Sequence, residues 1–179
     1  MSAHALTITA AGHSVVAPAV EDTAEDRLCR LMSEYERPLY LYLLVRVRDA
    51  DVALDCAQET FLRAFQALRR GQRVNRQWLY TVARNHSVDL WRRSRKTETG
   101  MEALEDVGVE ENTDQSMIVR QVMAQMPPLD RDVLYLFAVC GFKTDEIGSI
   151  VGASGSAVRQ RLYRARREFR RAYAEDDCG

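Results

Sequence analysis

Residues 143–173, KTDEIGSIVGASGSAVRQRLYRARREFRRAY, predict two helices joined by a short turn. In the second helix the apolar residues recur every three or four positions, which is the spacing of an amphipathic helix. They are Val158, Leu162, Ala165, Phe169, Ala172 and Tyr173. The opposite face carries Gln160, Tyr163, Arg164, Arg167, Arg170 and Arg171, with Arg159 at its margin. Because arginine donates several coplanar hydrogen bonds to phosphates and guanine edges, this pattern indicates a DNA-binding helix-turn-helix. An ordinary basic surface helix is the alternative.

The first helix of the pair has its own start signals. We expect Thr144 to cap it, because a threonine hydroxyl can accept a hydrogen bond from a free amide of the first turn. Asp145 and Glu146 follow, where negative charge interacts favourably with the helix dipole. The buried side then comprises Ile147, Ile150 and Val151.

Small residues define the turn between the two helices. Gly152 is suited to end the first helix, and residues 152–155 then form the turn. Ser154 or Ser156 can cap the second helix. Because Gly148 has no side chain, it allows the two helices to approach closely.

The charges of this 179-residue chain are unevenly distributed, although the net charge is only -1. Residues 1–96 carry 15 basic and 11 acidic side chains, and residues 116–179 carry ten basic and eight acidic ones. Residues 97–115 carry seven acidic side chains and no basic one. This acidic segment, with Gly100 and Gly108, predicts a flexible linker between two mildly basic helical domains. The distribution favours a nucleic-acid partner.

No cofactor, metal site or catalytic site is predicted. The four cysteines are widely spaced, form no CxxC pair and have only three histidines beside them, so a zinc site is not expected. We expect Cys29, Cys56 and Cys140 to pack as small apolar residues, and Cys178 to lie in an acidic tail. An enzyme using acidic clusters and His86 is a disfavoured alternative, because no Ser/His/Asp set or glycine-rich phosphate loop accompanies them. No signal peptide or membrane span is recognised, so we expect a cytoplasmic protein without a membrane partner.

The first domain is predicted to contain four helices, after a disordered extension of residues 1–23. The helices cover residues 24–35, residues 38–47, a segment beginning near Ala50 and residues 75–96. The apolar stripe of the third comprises Leu54, Ala57, Phe61, Phe65 and Leu68, and that of the fourth comprises Leu79, Val82, Ala83, His86 and Leu90. We expect His86 to be a hydrogen-bonded core histidine.

The outward face of the fourth helix combines basic, amide and aromatic residues. It carries Gln77, Thr81, Arg84, Val88, Arg92 and Arg95, flanked by Asn85, with Trp78 and Trp91 near its edges. Such a surface suits single-stranded DNA, since rings stack on bases while arginines hold phosphates. For the tryptophans taken alone, packing at the edge of the core is the favoured interpretation.

Four segments in order resemble the extracytoplasmic-function (ECF) sigma factors, the small bacterial initiation subunits of RNA polymerase. They are DADVALDCAQETFLRAF at 49–65, WLYTVARNHSVDLWRR at 78–93, MPPLDRDVL at 126–134 and the helix pair at 145–167. The resemblance covers about residues 24–173. It implies an all-α protein of two small domains: a sigma region 2 four-helix unit and a sigma region 4 helix-turn-helix unit.

The implied domain boundaries follow from the same resemblance. Region 2 is expected at residues 24–96, the flexible acidic linker at 97–115 and region 4 at 116–174. Residues 1–23 are expected to form an N-terminal extension, and residues 175–179 are expected to form a tail after region 4. The linker is long enough, since promoter elements about 16 base pairs apart lie about 55 Å apart and nineteen extended residues reach about 65 Å.

The resemblance also implies site residues. Region 2 is expected to dock on polymerase through Asp51, Asp55, Gln58, Glu59 and Arg63. Binding of the minus-ten element is expected from Gln72, Arg73, Asn75, Arg84, Asn85, Asp89, Arg92, Arg93, Arg95 and Lys96. Binding of the minus-thirty-five element is expected from Ser156, Arg159, Gln160, Arg161, Tyr163, Arg164 and Arg167, with Arg166 also suited to phosphates.

The function implied is that of a promoter-specificity subunit with no active site of its own. It would bind core RNA polymerase at the clamp helices of the largest subunit and the flap of the second-largest subunit, direct it to specific promoters and assist DNA melting. An anti-sigma factor is a further implied partner. The alternative is a stand-alone helix-turn-helix regulator, which is disfavoured because no amphipathic helix remains for dimerisation.

Four positions depart from the family pattern. Ser156-Ala157-Val158 replaces the usual Gly-Thr-Val at the start of the recognition helix, and Gln160 stands where a serine is common. Val74 occupies a loop position that is often aromatic. We therefore expect the preferred promoter sequence to differ from that of other members.

Overall fold

A computed structural model describes residues 22–96 and 114–176 of the chain. The side chains of residues 94–96, 114–118, 120 and 175–176 are outside the description. The predicted disordered extension, flexible linker and tail therefore lie almost entirely outside the described residues.

The described residues form seven α-helices and no strand, which confirms the predicted all-α class. The helices are α1 (Ala24–Val47), α2 (Ala50–Arg69), α3 (Arg76–Lys96), α4 (Asp114–Gln125), α5 (Pro128–Ala138), α6 (Thr144–Val151) and α7 (Gly155–Asp176). The first three form one helical unit, and the last four form a second. Among these helices, none combines the length and apolar character needed to span a bilayer.

Helix α1 is continuous, so the prediction of two helices meeting at Pro38 is wrong, and the first unit has three helices where four were expected. Proline lacks the amide hydrogen of an interior helical bond and usually kinks or ends a helix. Here Leu39, Tyr42 and Leu43 follow it closely and are almost completely buried. The packing of these three side chains outweighs the local penalty of Pro38. This packing involves residues that are distant in sequence, so a local pattern does not reveal it.

The buried side of α2 differs from the predicted stripe. Leu54 is 48% exposed and Phe65 is half-buried, whereas Ala57, Phe61 and Leu68 are buried as expected. The remaining buried positions are mostly small: Ala53, Cys56, Thr60, Ala64 and Ala67. Small side chains let α1 approach α2 closely, and close approach decides which face is covered.

The loop between α2 and α3 turns at Gly71, whose positive φ of 73° is suited to glycine. Asn75 ends the loop and caps α3, because its Oδ1 accepts a hydrogen bond of 2.8 Å from the amide of Trp78. On α3, Leu79, Tyr80 and Ala83 are buried against the rest of the core.

The second unit starts earlier than predicted, since α4 begins at Asp114 within the expected linker. It also ends later, because α7 includes Glu175 and Asp176 of the expected tail. Likewise, α1 is capped from the expected extension: the Thr23 hydroxyl accepts a hydrogen bond of 3.1 Å from the amide of Asp26.

The helix-turn-helix is present with one corrected cap. Helix α6 starts after Lys143, not after a Thr144 cap, and the Lys143 amide donates to the Glu146 carboxylate at 2.7 Å. Gly152 ends α6 with a φ of 73°. The Ser154 hydroxyl then accepts from the amide of Ala157 at 3.2 Å, which selects Ser154 as the cap of α7.

Gly148 is needed for the tight turn between α6 and α7. A Cβ added there would lie 2.6 Å from the carbonyl oxygen of Ala153, which is closer than a side chain can approach backbone. The Ala153 amide in turn donates to the Gly148 carbonyl at 2.9 Å. The predicted close approach was between the two helices, whereas the structure shows Gly148 close to the backbone of the turn.

The two units pack against each other. Helices α1 and α3 of the first unit contact α4, α5 and α6 of the second, and the buried apolar residues form one connected cluster. Aromatic contacts cross this boundary, including an edge contact between Tyr80 and Phe142 with ring centres 5.0 Å apart. No sequence pattern indicated this contact.

Candidate nucleic-acid interface

The basic face of α7 is open along its length. Val158, Leu162 and Ala165 are buried, which confirms the predicted apolar stripe and turns the opposite side outward. The exposed residues of that side are Arg159, Gln160, Tyr163, Arg164, Arg167, Arg170 and Arg171. Tyr163 is 70% exposed although it is aromatic, and it stands among arginines. An exposed ring and several guanidinium groups on one helix suit the edges and phosphates of a DNA groove.

Arg159 has an acidic neighbour from α6. Its Nη1 lies 3.8 Å from Oδ1 of Asp145, and both side chains are largely exposed. The same Asp145 oxygen occupies the space that a Cβ on Gly155 would take, at 1.8 Å. Asp145 therefore lies against the first residue of α7 and can restrict the directions that the Arg159 side chain adopts.

Two arginines assigned to phosphate binding have partners within the protein. Arg161 Nη1 is 2.8 Å from Oδ1 of Asp130 on α5. The guanidinium carbon of Arg166 lies 4.5 Å from the ring centre of Phe137, which is a cation–π contact. Both side chains help to fix α7 on α5, a role that the sequence pattern alone did not indicate.

The surface expected to bind the minus-ten element is mostly exposed in the first unit. Gln72 and Arg73 lie on the loop before α3, and their side chains are exposed with those of Asn75, Asn85, Asp89, Arg92 and Arg93. The side chains of Arg95 and Lys96 lie outside the described residues. Trp78 is half-buried against the core, as expected for packing at the core edge. Trp91 is 50% exposed and fits that expectation less closely.

Arg84 and Val74 behave differently from the rest of this surface. The Arg84 side chain is 17% exposed, and its Nε lies 3.4 Å from Oδ2 of Asp132 in the second unit. Val74 packs against the core, where a loop aromatic residue is common in the family. The expected minus-ten surface is thus divided between open residues and one that faces the second unit.

The acidic and amide face of α2 is open, and it contains leucines that were not predicted there. Asp51, Asp55 and Gln58 are exposed, and Glu59 forms an ion pair of 2.7 Å with Arg63. Leu54 and Leu62 are 48% and 51% exposed on the same helix. Two exposed leucines on one helix face add apolar area to this polar surface, and apolar area is what the centre of a protein-binding surface contains. Leu54 and Leu62 lie four residues before and after Gln58, so helical spacing alone places all three side chains on the same face of α2.

His86 is half-buried on α3, and its Nδ1 lies 3.5 Å from Nη2 of Arg63. Burial, and secondarily the positive charge of Arg63, lower the pKa of this imidazole. His86 is therefore a packed residue at the boundary of α2 and α3, close to the expected core position.

Among the described residues, the thiols of Cys29, Cys56 and Cys140 are free. In the described ranges no group of three or more His, Cys, Asp or Glu residues is placed to hold a metal ion. Cys56 is buried, and burial with the nearby Asp55 raises the pKa of its thiol to about 11. Cys29 is exposed, so its expected packing as a small apolar residue is wrong.

Sequence comparisons identify relatives for both units. The model for "Sigma-70 region 2" matches residues 31–97, and that for "Sigma-70, region 4" matches residues 116–169. RNA polymerase sigma factor YlaC of Bacillus subtilis is 31% identical over 163 residues, covering 84% of this chain and 91% of YlaC. ECF RNA polymerase sigma factor SigL of Mycobacterium tuberculosis is 31% identical over 159 residues, covering 82% of this chain and 89% of SigL.

Solved structures show the same fold. Sigma factor RpoE of Bartonella quintana, in complex with the anti-sigma factor NepR, has a TM-score of 0.71 at 18% identity, covering 82% of this chain and 96% of RpoE. CnrH, in complex with the cytosolic domain of CnrY, has a TM-score of 0.65 at 22% identity, covering 85% of this chain and 90% of CnrH. At these identities the likeness establishes the architecture alone.

Proposed function

The chain belongs to the ECF family of RNA polymerase sigma factors, and on that basis we propose how its surfaces divide the work of promoter recognition. As a sigma factor it binds core RNA polymerase and promoter DNA to initiate transcription. One observation supports the residue assignments. The chain matches both region 2 and region 4, and helix α7 of the region 4 unit has a basic and open face.

The α7 face is the surface for the minus-thirty-five element. Arg159, Gln160, Tyr163 and Arg164 lie near the start of the helix, where a recognition helix enters the major groove and contacts base edges. Arg167 lies farther along the same exposed side and suits phosphate contact. Ser156 is exposed beside the cap, while Arg161 and Arg166 act mainly by holding α7 in place.

The loop before α3 and the outer side of α3 form the surface for the minus-ten element. Exposed amides and arginines occur together there, with Trp91 on the same helix, which suits unstacked bases and their phosphates. The residues are Gln72, Arg73, Asn75, Asn85, Asp89, Arg92 and Arg93, with Arg95 and Lys96 continuing along the helix in sequence. Arg84 is also assigned to this surface, although its side chain is 17% exposed and faces Asp132.

Helix α2 is the docking surface for the clamp helices of the largest polymerase subunit. Asp51, Asp55, Gln58 and Glu59 supply polar contacts, and Leu54 and Leu62 supply apolar area. The Arg63 guanidinium orients Glu59 through their ion pair. The region 4 unit contacts the flap of the second-largest subunit, and the polymerase, which supplies the active site, performs the catalysis.

The described helices leave enough chain to reach both promoter elements. Residues 97–113 separate α3 from α4, and the maximum reach of seventeen residues is about 60 Å, compared with about 55 Å between elements about 16 base pairs apart. The shortened connector thus remains long enough. An anti-sigma factor is a further proposed partner, because RpoE of similar fold was solved in complex with one.

Run-off transcription with purified core polymerase and genomic DNA fragments tests the proposal. We expect discrete start sites that require the protein and share two upstream elements. Arg159→Ala should alter which promoters are used, and Glu36→Gln, which changes an exposed residue outside the proposed surfaces, should not. Absence of any dependent start site would refute promoter selection. Specific binding to an intact palindrome without polymerase would instead support the stand-alone regulator.

A further inference from the structure

Three polar side chains are connected across the boundary of α2 and α3. Arg63 Nε donates to Oε1 of Glu59 at 2.7 Å, one helical turn away on α2. The far end of the same guanidinium, Nη2, lies 3.5 Å from Nδ1 of His86 on α3. We call Glu59, Arg63 and His86 the Arg63 bridge. The guanidinium group is thus held from two sides, by its own helix and by the neighbouring one.

The ion pair within α2 would fix its own side chains only loosely. The side chains of Glu59 and Arg63 are 35% and 44% exposed. An exposed ion pair contributes little, because the entropy lost by two long side chains offsets their attraction. His86 supplies a further restraint, since its shorter side chain is half-buried at the helix boundary. The ring therefore restricts the guanidinium, and the guanidinium restricts the Glu59 carboxylate.

The imidazole can hold Arg63 only in its neutral form. A neutral ring with its proton on Nε2 presents Nδ1 as an acceptor, whereas an imidazolium has no acceptor and repels a guanidinium. Burial, followed by the charge of Arg63, lowers the pKa of His86, and the carboxylate of Glu59 opposes this shift. On α3 itself, Arg93 adds to the lowering and Asp89 opposes it. The ring is therefore neutral near pH 7.

His86 lies between the two proposed binding surfaces of the first unit. Glu59 belongs to the α2 face proposed to dock on polymerase, which also carries the exposed Leu62. Asp89 and Arg93 follow His86 by one and two turns on α3 and belong to the surface proposed for the minus-ten element. The direction of a polymerase-facing carboxylate thus depends on a residue of the DNA-facing helix.

We infer that His86 is a positioning residue for polymerase docking, which acts through Arg63 on the Glu59 carboxylate. The role in docking rests on the proposed function of α2, whereas the bridge within the free protein does not. A carboxylate that is already ordered loses less conformational entropy on binding, so the bridge raises the affinity for core polymerase. Protonation of His86 releases Arg63 and weakens docking.

Nuclear magnetic resonance of the free, full-length chain tests the bridge itself. The Arg63 Nε–H signal is followed between about pH 8 and pH 5, a range that spans the ordinary histidine pKa of about 6.5. We expect this signal to move with the His86 titration, because losing the ring contact alters the hydrogen bond to Glu59. In His86→Asn, whose amide does not titrate, the movement should disappear. A wild-type Arg63 signal that does not follow His86 would overturn the inference.

Affinity for purified core polymerase tests the positioning role. His86→Leu keeps an apolar side chain but removes the acceptor, and it should weaken binding about threefold near neutral pH. His86→Asn should retain most of the affinity, because its Oδ1 occupies the place of Nδ1. Acidification should weaken wild type more than His86→Asn, which corrects for every other group that titrates. Equal losses in the two variants, or equal pH profiles of wild type and His86→Asn, would overturn the role.

A double-mutant cycle separates positioning from a general effect on folding. In a Glu59→Ala background, His86→Leu should cause no further loss, since no carboxylate remains to be positioned. The full loss in that background would show that His86 only supports the fold, and the proposed docking face would still stand. A Glu59→Ala variant that binds polymerase as wild type does would refute both the docking assignment of Glu59 and the role of His86.

Discussion

Arg161 of α7 is joined to Asp130 of α5 by an ion pair with Nη1 and Oδ1 2.8 Å apart. The Asp130 side chain is 12% exposed and that of Arg161 is 34% exposed. The pair links the recognition helix to the helix beneath it. Arg161 is therefore a scaffold residue of the helix-turn-helix, although it lies in the run of arginines that the sequence assigns to DNA.

Arg161→Met should lower the free energy of unfolding by about 1 kcal/mol, because it leaves Asp130 mostly buried without its ion-pair partner. Urea unfolding followed by circular dichroism measures this change. Arg167→Met is the matched control, since Arg167 is exposed on the same helix and should change stability little. Equal stabilities of the two variants would show that the ion pair contributes nothing measurable.

Arg159→Ala should reduce binding by about 1–3 kcal/mol at one or two positions of the minus-thirty-five element, since a base contact discriminates among sequences. Systematic substitution of each base pair in a promoter-binding assay measures the loss by position. Asp145→Asn should broaden the same preference more mildly, because the Asp145 carboxylate lies 3.8 Å from Arg159. Uniform weakening at every position by Arg159→Ala would identify a phosphate contact instead.

The combined Gln58→Ala and Glu59→Ala variant should lose affinity for core polymerase while its helical content stays unchanged. Both side chains lie on the outward side of α2, beside the exposed Leu54 and Leu62. Native gel shift of core polymerase with labelled protein gives the affinity. Glu36→Gln serves as control for a change of charge outside this face, and transcription equal to wild type in the double variant would refute the docking assignment.

Gly148→Ala should destabilise the second unit by about 1–3 kcal/mol, because its Cβ would lie 2.6 Å from the Ala153 carbonyl oxygen and the turn must shift. Gly155→Ala is the informative comparison. There the Cβ would meet the Asp145 carboxylate and, at 3.6 Å, Nη1 of Arg159, both of which are ends of side chains that can rotate away. Thermal unfolding should therefore separate the two variants, and similar losses in both would contradict the backbone clash.

Stability should depend on pH through His86. Burial and Arg63 lower its pKa in the folded state, so the unfolded chain takes up a proton at a higher pH than the folded protein does. Stability should fall as pH decreases from above the ordinary histidine pKa of about 6.5 towards the folded-state pKa. Thermal unfolding at several pH values should show a shallower dependence for His86→Gln than for wild type. Identical slopes would exclude a contribution from His86.

Local patterns in the sequence were sufficient for much of the site. The spacing of Val158, Leu162 and Ala165 identified the buried side of α7, because a helical period places those residues together whatever lies beneath them. Gly152 and Ser154 marked the end of one helix and the start of the next, since glycine conformation and serine capping are local effects. Family membership was also predicted from four short segments and is confirmed by both region matches.

Other features depended on neighbours that are distant in sequence. Pro38 reads as a helix start, but burial of Leu39, Tyr42 and Leu43 keeps α1 continuous through it. On α2, Leu54 fits a helical apolar stripe and is nevertheless exposed, because close packing selects the face with smaller residues. In both places tertiary packing overrides the local preference.

The sequence by itself determined an all-α chain with a basic helix-turn-helix and an acidic connector, since helix periodicity, capping and charge are properties of short segments. Only the tertiary structure decided the partners of its arginines. Arg46 and Arg84 meet Asp132, and Arg161 meets Asp130, across separations of 86, 48 and 31 residues. One guanidinium group suits a phosphate, a carboxylate or an aromatic ring equally well, so its role depends on which of these the fold brings within contact distance.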